Sequence, residues 1–383
     1  MAGEIKTLLV INSGSSTLKF ELFGCDDLQS LYAGNLSVHS DQTYQIRPIF
    51  DTLQAQVENF ASCSIEAIAH RVVHGGTCFN EAVVVNQEVL QTLESLSSLA
   101  PLHNPKAVSM IKRLHGELPD IPQIAVFDTG FFSNLPERAK ILPLPWHWYE
   151  KWGIRRFGFH GISHSYCATR AVQMLKQALQ PIQHRRLVIC HIGSGCSASA
   201  VQDGEAVATT MSYTPMDGLM MGSRSGSIDP GILLHLLDSD LQRPEQISDC
   251  LNRQSGLLGV SGVSSDFQQV HKAAQQGNSR AQLALDIFTD SIRASIASLA
   301  VNMGGLDALI FTAGIGENSS YLREKVCQGL ECLGCVLDLE LNQQPVLDAE
   351  LTAAGSKVRI LAIATQESLQ IAKQTLPLIT STA

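Results

Sequence analysis

Residues 8–11 (Leu-Leu-Val-Ile) form an unbroken apolar run, the pattern of a strand buried on both faces. From Thr17 to Leu22 the pattern changes to strict alternation. Leu18, Phe20 and Leu22 are apolar; Thr17, Lys19 and Glu21 are polar. That predicts a second strand, buried on one face only. The five residues between, Asn12-Ser13-Gly14-Ser15-Ser16, are small and polar. The segment therefore reads as a hairpin whose turn can direct N–H and O–H donors at one point, a cradle for phosphate, with Lys19 adding a point charge. The same residues also suit an ordinary Gly/Ser turn.

Further along, buried strands are predicted over residues 123–127, 187–190, 308–311 and 358–362. Asn104 and Pro105 have N-cap and first-turn character and open a helix running to about Leu114. Ser163 is expected to cap a helix reaching about Leu179. Asn278 begins the longest helix, with Leu285, Phe288, Ile292, Ile296 and Leu299 on its apolar face. A loop is expected after Phe311, a helix from about Ser319, and a last helix from Glu367. Strands and helices alternate, so the class is α/β. One weak repeat stands out. Leu9-Val10-Ile11 followed by Ser-Gly-Ser-Ser returns as Leu187-Val188-Ile189 followed by Gly193-Ser194-Gly195-Cys196-Ser197. It suggests a duplicated fold with one phosphate loop per half, the alternative being chance likeness of two buried strands.

A length of 383 residues predicts two domains. Apolar residues make up 45% and charged residues 16%, which suits a well-buried enzyme. The net charge of −9 argues against a nucleic-acid or anionic-membrane partner, so an anionic substrate must be met by a local Arg or Lys cluster. The N-terminus lacks a signal-peptide core and no apolar run reaches membrane-spanning length, which predicts a cytoplasmic location. Among the ten cysteines, Cys327, Cys332 and Cys335 follow a spacing resembling part of an iron–sulfur ligand set. Leu322, Val326 and Leu330 continue a helical apolar period through the same stretch, which favours small core residues.

Several constellations carry chemistry. His70-Arg71-Val72-Val73-His74-Gly75-Gly76 sets an Arg and two His on a strand, an expensive choice in a core and a reason to expect a site. Arg71 is suited to a carboxylate or phosphate. Pro101-Leu102-His103 is a rigid turn that could face a cleft. Asp128 ends a buried strand, where open α/β sheets place catalytic groups. His160 lies between Gly158 and Gly161, a pattern that suggests close approach to a ligand. Arg224 lies in a loop of small residues before a helix. Gly314-Ile315-Gly316 follows a strand and precedes a helix, where adenosine can lie on backbone.

In order, HRVVHGG, APLHNP, FGFHG, SIDPG and TAGIGEN resemble the acetate kinase family, within the superfamily of sugar kinases, heat-shock ATPases and actin. The resemblance runs from about Leu8 to about Ala372. It implies a duplicated two-domain fold with the active site in the interdomain cleft. The first domain would be residues 1–128 plus 369–383 and the second residues 129–368. It implies reversible, Mg²⁺-dependent in-line phosphoryl transfer from ATP to acetate, giving acetyl phosphate and ADP, with Mn²⁺ able to substitute, in a homodimer. Asn12, Ser15, Thr17 and Lys19 would form the first phosphate loop; His191, Gly193, Ser194 and Gly195 the second. Asp266, Phe267 and Gln268 would lie near the base, and Gly314, Ile315, Gly316 and Asn318 would flank the adenosine. Arg71 and Arg224 would hold the carboxylate and the moving phosphoryl group, and His160 would hydrogen-bond its oxygens. Asp128 would align acetate or the second arginine. Glu367, with Asn12, would hold the metal. Val73, Leu102, Phe159 and Pro215 would wall the methyl pocket.

Within this resemblance, Ser194 stands where Asn is usual, Gln268 where Arg is usual, and Phe132 where His is usual. Gln366-Glu367-Ser368 replaces a more acidic segment. A propionate or other short-chain acyl kinase is the neighbouring alternative; Val73, bulkier than Ala, favours the two-carbon acid. An ATP-driven conformational protein would share the phosphate loops but would not need HRVVHGG or FGFHG.

Overall fold

The apolar run at residues 8–11 lies inside strand β1 (Ile5–Ser13) of a computed structural model that describes residues 5–14, 17–37, 46–101, 103–176, 185–239 and 241–380. The run is apolar throughout because β1 faces two cores. Leu9 and Ile11 pack with Phe20, Ile68 and Met110, whereas Leu8 and Val10 pack with Ala69, Val126 and Ile371. β1 pairs antiparallel with β2 (Thr17–Gly24), placing Asn12 opposite Lys19. Leu18, Phe20 and Leu22 are buried, while Thr17 and Lys19 are exposed.

The chain divides into two compact units. The first comprises Met1–Ser133, Gly161–Ser163 and Gln366–Ala383. Its sheet adds β3 (Ser30–Ser37), β4 (Cys63–Val72), β5 (Val83–Val84) and β6 (Gln123–Phe127), in the order β3-β2-β1-β4-β6-β5. The second comprises Asn134–His160 and His164–Thr365. Its sheet contains β7 (Arg186–Ile192), β8 (Cys196–Gln202), β9 (Glu205–Thr209), β10 (Ala308–Thr312), β11 (Ala349–Glu350) and β12 (Arg359–Ala362). The order there is β9-β8-β7-β10-β12-β11. The two orders are the same, strand for strand. The strand senses match as well. β1 and β7 each begin an antiparallel hairpin and lie parallel to the next crossover strand. The weak repeat in the sequence is therefore a duplicated α/β fold.

The helix Ser279–Asn302 is capped by Asn278, whose side chain accepts from Ala281 N, and Leu285, Phe288, Ile292, Ile296 and Leu299 are all buried. Three local expectations are corrected. The helix predicted from Asn104 runs Asn104–Glu117 with His103 at the N-cap. Asn104 does not cap it. Its side chain bonds His74 N (3.1 Å) and His74 O (2.9 Å), clamping the chain just beyond β4. The helix assigned to a Ser163 cap begins earlier, spanning Gly161–Lys176, with Ser163 buried inside its first turn; Leu179 lies outside the described residues. The expected loop after β10 is a helix, Ala313–Asn318, followed by a second, Ser320–Cys327, with Ser319 as cap. Among the described residues no helix is long and apolar enough to cross a membrane. Cys327 and Cys335 are buried and Cys332 is exposed.

Candidate active site

In the first unit, the C-terminal ends of β1, β4 and β6 carry Asn12, Arg71 and Asp128. These strands are parallel neighbours on the side where α/β sheets present their chemistry. Arg71 grips Asp128 through Nη2–Oδ2 (2.6 Å) and Nε–Oδ1 (3.0 Å). Its Nη1 donates to Asn12 Oδ1 (3.2 Å), and Asn12 Nδ2 donates to Glu367 Oε2 (3.4 Å) at the start of the helix Glu367–Thr380. Burial opposes the charge on Arg71, but the Asp128 and Glu367 carboxylates outweigh it and hold its pKa above the ordinary value. Asp128 thus has the first arginine as its bidentate partner. Ser15 and Leu102 lie outside the described residues. Val73, just past β4, is half-buried.

The two histidines beside Arg71 do structural work. His70 is fully buried, its Nε2 donating to Gln123 Oε1 at 2.7 Å, and burial lowers its pKa to about 4. His74 Nδ1 accepts from Gly76 N (2.9 Å) and so shapes the turn. Gly161 also departs from expectation. A Cβ there would lie 2.1 Å from Asp128 O, to which Gly161 N donates at 2.9 Å. Its close approach is to backbone, not to a ligand.

In the second unit, β7 ends at His191, and Gly193-Ser194-Gly195 turns the chain into β8. The ring of His160 stacks on His191 with centroids 4.2 Å apart. His160 itself holds φ +59°, a left-handed conformation that non-glycine residues seldom adopt. Arg224 donates from Nη1 to Pro215 O (2.9 Å) and touches Met221 Sδ (3.8 Å). Among the described residues no carboxylate forms an ion pair with it. Burial lowers its pKa, but a guanidinium stays charged at neutral pH. Phe159 is buried and Pro215 half-buried. Phe132 is buried in the first unit against Phe131.

A cavity of about 330 Å³ opens beside the second glycine loop. The loop supplies Gly193 and Ser194, the segment before and into the helix Phe267–Gln275 supplies Asp266, Phe267 and Gln268, and the helix Ala313–Asn318 supplies Gly314, Ile315 and Asn318. Phe267 is buried, its ring against Phe288, and forms the floor; Gln268 and Ser194 are exposed polar groups at the wall. Gly316 is not in the lining but packs toward β7 and β10. Sequence reading missed Ser265 and Ser319 in the wall, and Glu317 and Arg323 behind it. Glu317 Oε1 accepts from Ala313 N (2.7 Å) and Thr365 N (2.8 Å), holding Ala313 at φ +65°.

A duplicated fold with a glycine-turn hairpin in each half and a half-buried arginine with no carboxylate ion-paired to it among the described residues describes a phosphoryl-transfer enzyme. The chain belongs to the acetokinase family, whose model matches residues 29–373. It is 43% identical to the acetate kinase of Nostoc punctiforme over 96% of this chain and 98% of that one. Its structure is similar to the crystal structure of Porphyromonas gingivalis acetate kinase, at 34% identity and TM-score 0.87, covering 97% of this chain and 99% of that one. A propionate kinase from Francisella tularensis shows the same 34% identity, TM-score of 0.87 and coverage of 97% and 99%. The enzyme is a kinase that takes ATP or ADP as co-substrate.

Proposed function

We propose that this enzyme transfers the γ-phosphoryl group of ATP to acetate, reversibly, by direct in-line displacement. The observation that carries the reading is Arg224, a half-buried guanidinium bonded to a carbonyl and a thioether, with no carboxylate ion-paired to it among the described residues. Such a charge is costly unless an anion completes it. An acetate carboxylate is already ionised at neutral pH, so the acceptor needs no general base. The difficulty is bringing anion to anion, which arginines and backbone donors answer electrostatically. Arg71, oriented by Asp128, would hold the carboxylate. His160 would donate to the phosphoryl oxygens, and the cavity at Gly193, Gln268 and Gly314 would take the nucleoside. Thr17 and Lys19, exposed at the first hairpin, would meet phosphate.

Mg²⁺ usually keeps waters and takes one or two protein oxygens plus substrate phosphates. The half-buried carboxylate of Glu367, hydrogen-bonded to Asn12, fits that need. The metal, when bound, neutralises charge on the phosphates.

Acyl phosphate trapped as hydroxamate, measured across formate, acetate, propionate and butyrate, tests the reading. The expected result is highest kcat/KM with acetate. The neighbouring propionate kinase makes chain length the open point, and Val73 is the handle on it. Val73→Ala should lower the KM for propionate more than that for acetate, since one methylene shifts discrimination by about 1–3 kcal/mol. An unchanged ratio with a lowered melting temperature would make Val73 a core residue only. A homodimer is supported by the helix Pro230–Asp238, which has no buried residue and exposes Ile232, Leu234 and Leu237. Leu234→Glu should yield monomer in sedimentation.

A further inference from the structure

Behind the second glycine loop, four side chains of the second unit form one hydrogen-bonded line. His160 Nδ1 lies 3.0 Å from Ser197 Oγ. Ser197 Oγ lies 2.8 Å from His164 Nε2, and His164 Nδ1 lies 2.7 Å from Ser199 Oγ. Ser197 and Ser199 are two apart on β8, so both hydroxyls are on one face of the sheet. His164, Ser197 and Ser199 are fully buried. Burial, reinforced by nearby His191, drives the pKa of His164 well below the usual histidine value, so its ring is neutral. A neutral imidazole has one N–H and one bare nitrogen, and a hydroxyl has one proton.

The protons can therefore run along this line in two senses. In the first, Ser199 O–H donates to His164 Nδ1, His164 Nε2–H donates to Ser197, and Ser197 O–H donates to His160 Nδ1. In the second, every donation is reversed. Ser199 decides between them. Among the described residues its hydroxyl has one hydrogen-bond partner, His164 Nδ1. The second sense would leave its buried O–H without an acceptor, at the full desolvation penalty of that group. The first gives the protons of Ser199, His164 and Ser197 an acceptor each.

We propose that Ser199, His164 and Ser197 are positioning residues that fix His160 as the neutral Nε2–H tautomer, aiming an N–H donor at the transferring phosphoryl group. The ring is oriented for this. A Cβ at Gly195 would sit 3.3 Å from His160 Nε2 and 3.7 Å from Arg224 Nη1. Both cationic or donor ends thus converge where the loop omits a side chain. Phosphoryl oxygens are acceptors only, so a bare Nε2 would repel them, whereas Nε2–H stabilises their charge. Stacking on His191 holds the ring plane. The inference rests on the role given to His160 above and deepens it.

Ring-nitrogen NMR of the full-length, histidine-labelled enzyme reads the tautomer directly. The His160 ring is identified by its loss in His160→Gln. The expected spectrum has Nδ1 bare and Nε2 protonated. Protonated Nδ1 with bare Nε2 would overturn the proposal. In Ser199→Ala the anchor is gone; His160 should become a mixture of tautomers and kcat should fall about tenfold, with both KM values nearly constant, as for one weakened transition-state hydrogen bond. Ser199→Thr keeps the hydroxyl and should keep the Nε2–H form. If Ser199→Ala does not fold, Ser197→Ala breaks the next link and should likewise leave His160 a mixture of tautomers. Wild-type tautomer in that variant would also overturn the line. The NMR readout needs no turnover, so the two readings can fail separately. Full activity in His160→Gln would remove the role of His160, while a wrong tautomer would remove the line and leave that role standing.

Discussion

Arg71 and Asp128 meet through two parallel hydrogen bonds, 2.6 and 3.0 Å long, with the carboxylate almost wholly buried. The fork uses Nε and Nη2 and leaves Nη1 to Asn12. Asp128 therefore sets the plane of the guanidinium. Lysine cannot reproduce a fork. Arg71→Lys should lower kcat by roughly two to three orders of magnitude, as for loss of a transition-state donor. Steady-state kinetics with saturating acetate checks this; near-normal turnover would remove Arg71 from the mechanism. Asp128→Ala should also destabilise the fold by about 3 kcal/mol, the low end for a broken buried pair, since Arg71 keeps some solvent contact.

Ser194 and Gln268 both line the 330 Å³ cavity, at positions where the family resemblance leads us to expect Asn and Arg. Gln268 is exposed at its wall, with neither the charge nor the reach of arginine. The enzyme should discriminate weakly between bases, with GTP partly replacing ATP. Comparing kcat/KM for ATP, GTP and CTP measures it. Gln268→Arg should sharpen the preference for ATP. A strong preference in the native enzyme, indifferent to that change, would make the replacement immaterial.

What could be read from the chain was local. The burial of β1 on two faces shows in four consecutive apolar residues, and the duplication shows because both hairpins need small residues at the same turn. Asp128 could be placed at a strand end, but not paired with Arg71, because 57 residues separate them. Asn104 looked like a helix cap because capping is a local habit; its real partner, His74, lies 30 residues back. Gly161 resembled a ligand-facing glycine, yet what crowds it is the carbonyl of Asp128. The helix Ala313–Asn318 was hidden by two glycines, which disfavour helix locally. Glu317 and Arg323 stabilise it through contacts no periodicity reveals.

His70 gives the fold a pH dependence. It is buried and neutral, with its pKa lowered from 6.5 to about 4, chiefly by burial. The unfolded chain thus binds its proton more readily than the folded one between those values. The stability is fully present above pH 6.5 and is lost as pH falls toward 4. The loss for this one group is up to about 3 kcal/mol. Denaturant melts at pH 7 and pH 5 should show the decline, and His70→Gln, which can still donate to Gln123, should flatten it. An unchanged slope in that variant would assign the acid sensitivity to other groups, among them His164, whose pKa is lowered by burial in the same sense.

Arg323 lies behind the cavity proposed above for the nucleoside. It is 1% exposed, and its side-chain hydrogen bonds all go to neutral acceptors. Nη1 donates to Gly316 O (2.8 Å) and Glu317 O (2.7 Å), and Nε and Nη2 donate to Asn342 Oδ1 (2.7 Å) and Asn342 O (2.9 Å). Burial lowers its pKa to about 10, so it remains a cation at neutral pH. It therefore ties the last carbonyls of the helix Ala313–Asn318, which has few partners of its own at that end, to the chain at Asn342. Gly314, Ile315 and Asn318 of that helix line the cavity. A lysine can reach one set of acceptors but not both. Arg323→Lys should raise the KM for ATP roughly three- to tenfold, equivalent to about one hydrogen bond, while the KM for acetate stays put. Arg323→Leu should instead destabilise the fold by about 3 kcal/mol or more, because several buried acceptors lose their donor. Steady-state kinetics on the folded Lys variant, beside thermal melts of both, separates the two effects. An unaltered ATP KM with lowered stability would make Arg323 a strut of the fold and not a support of the nucleotide site.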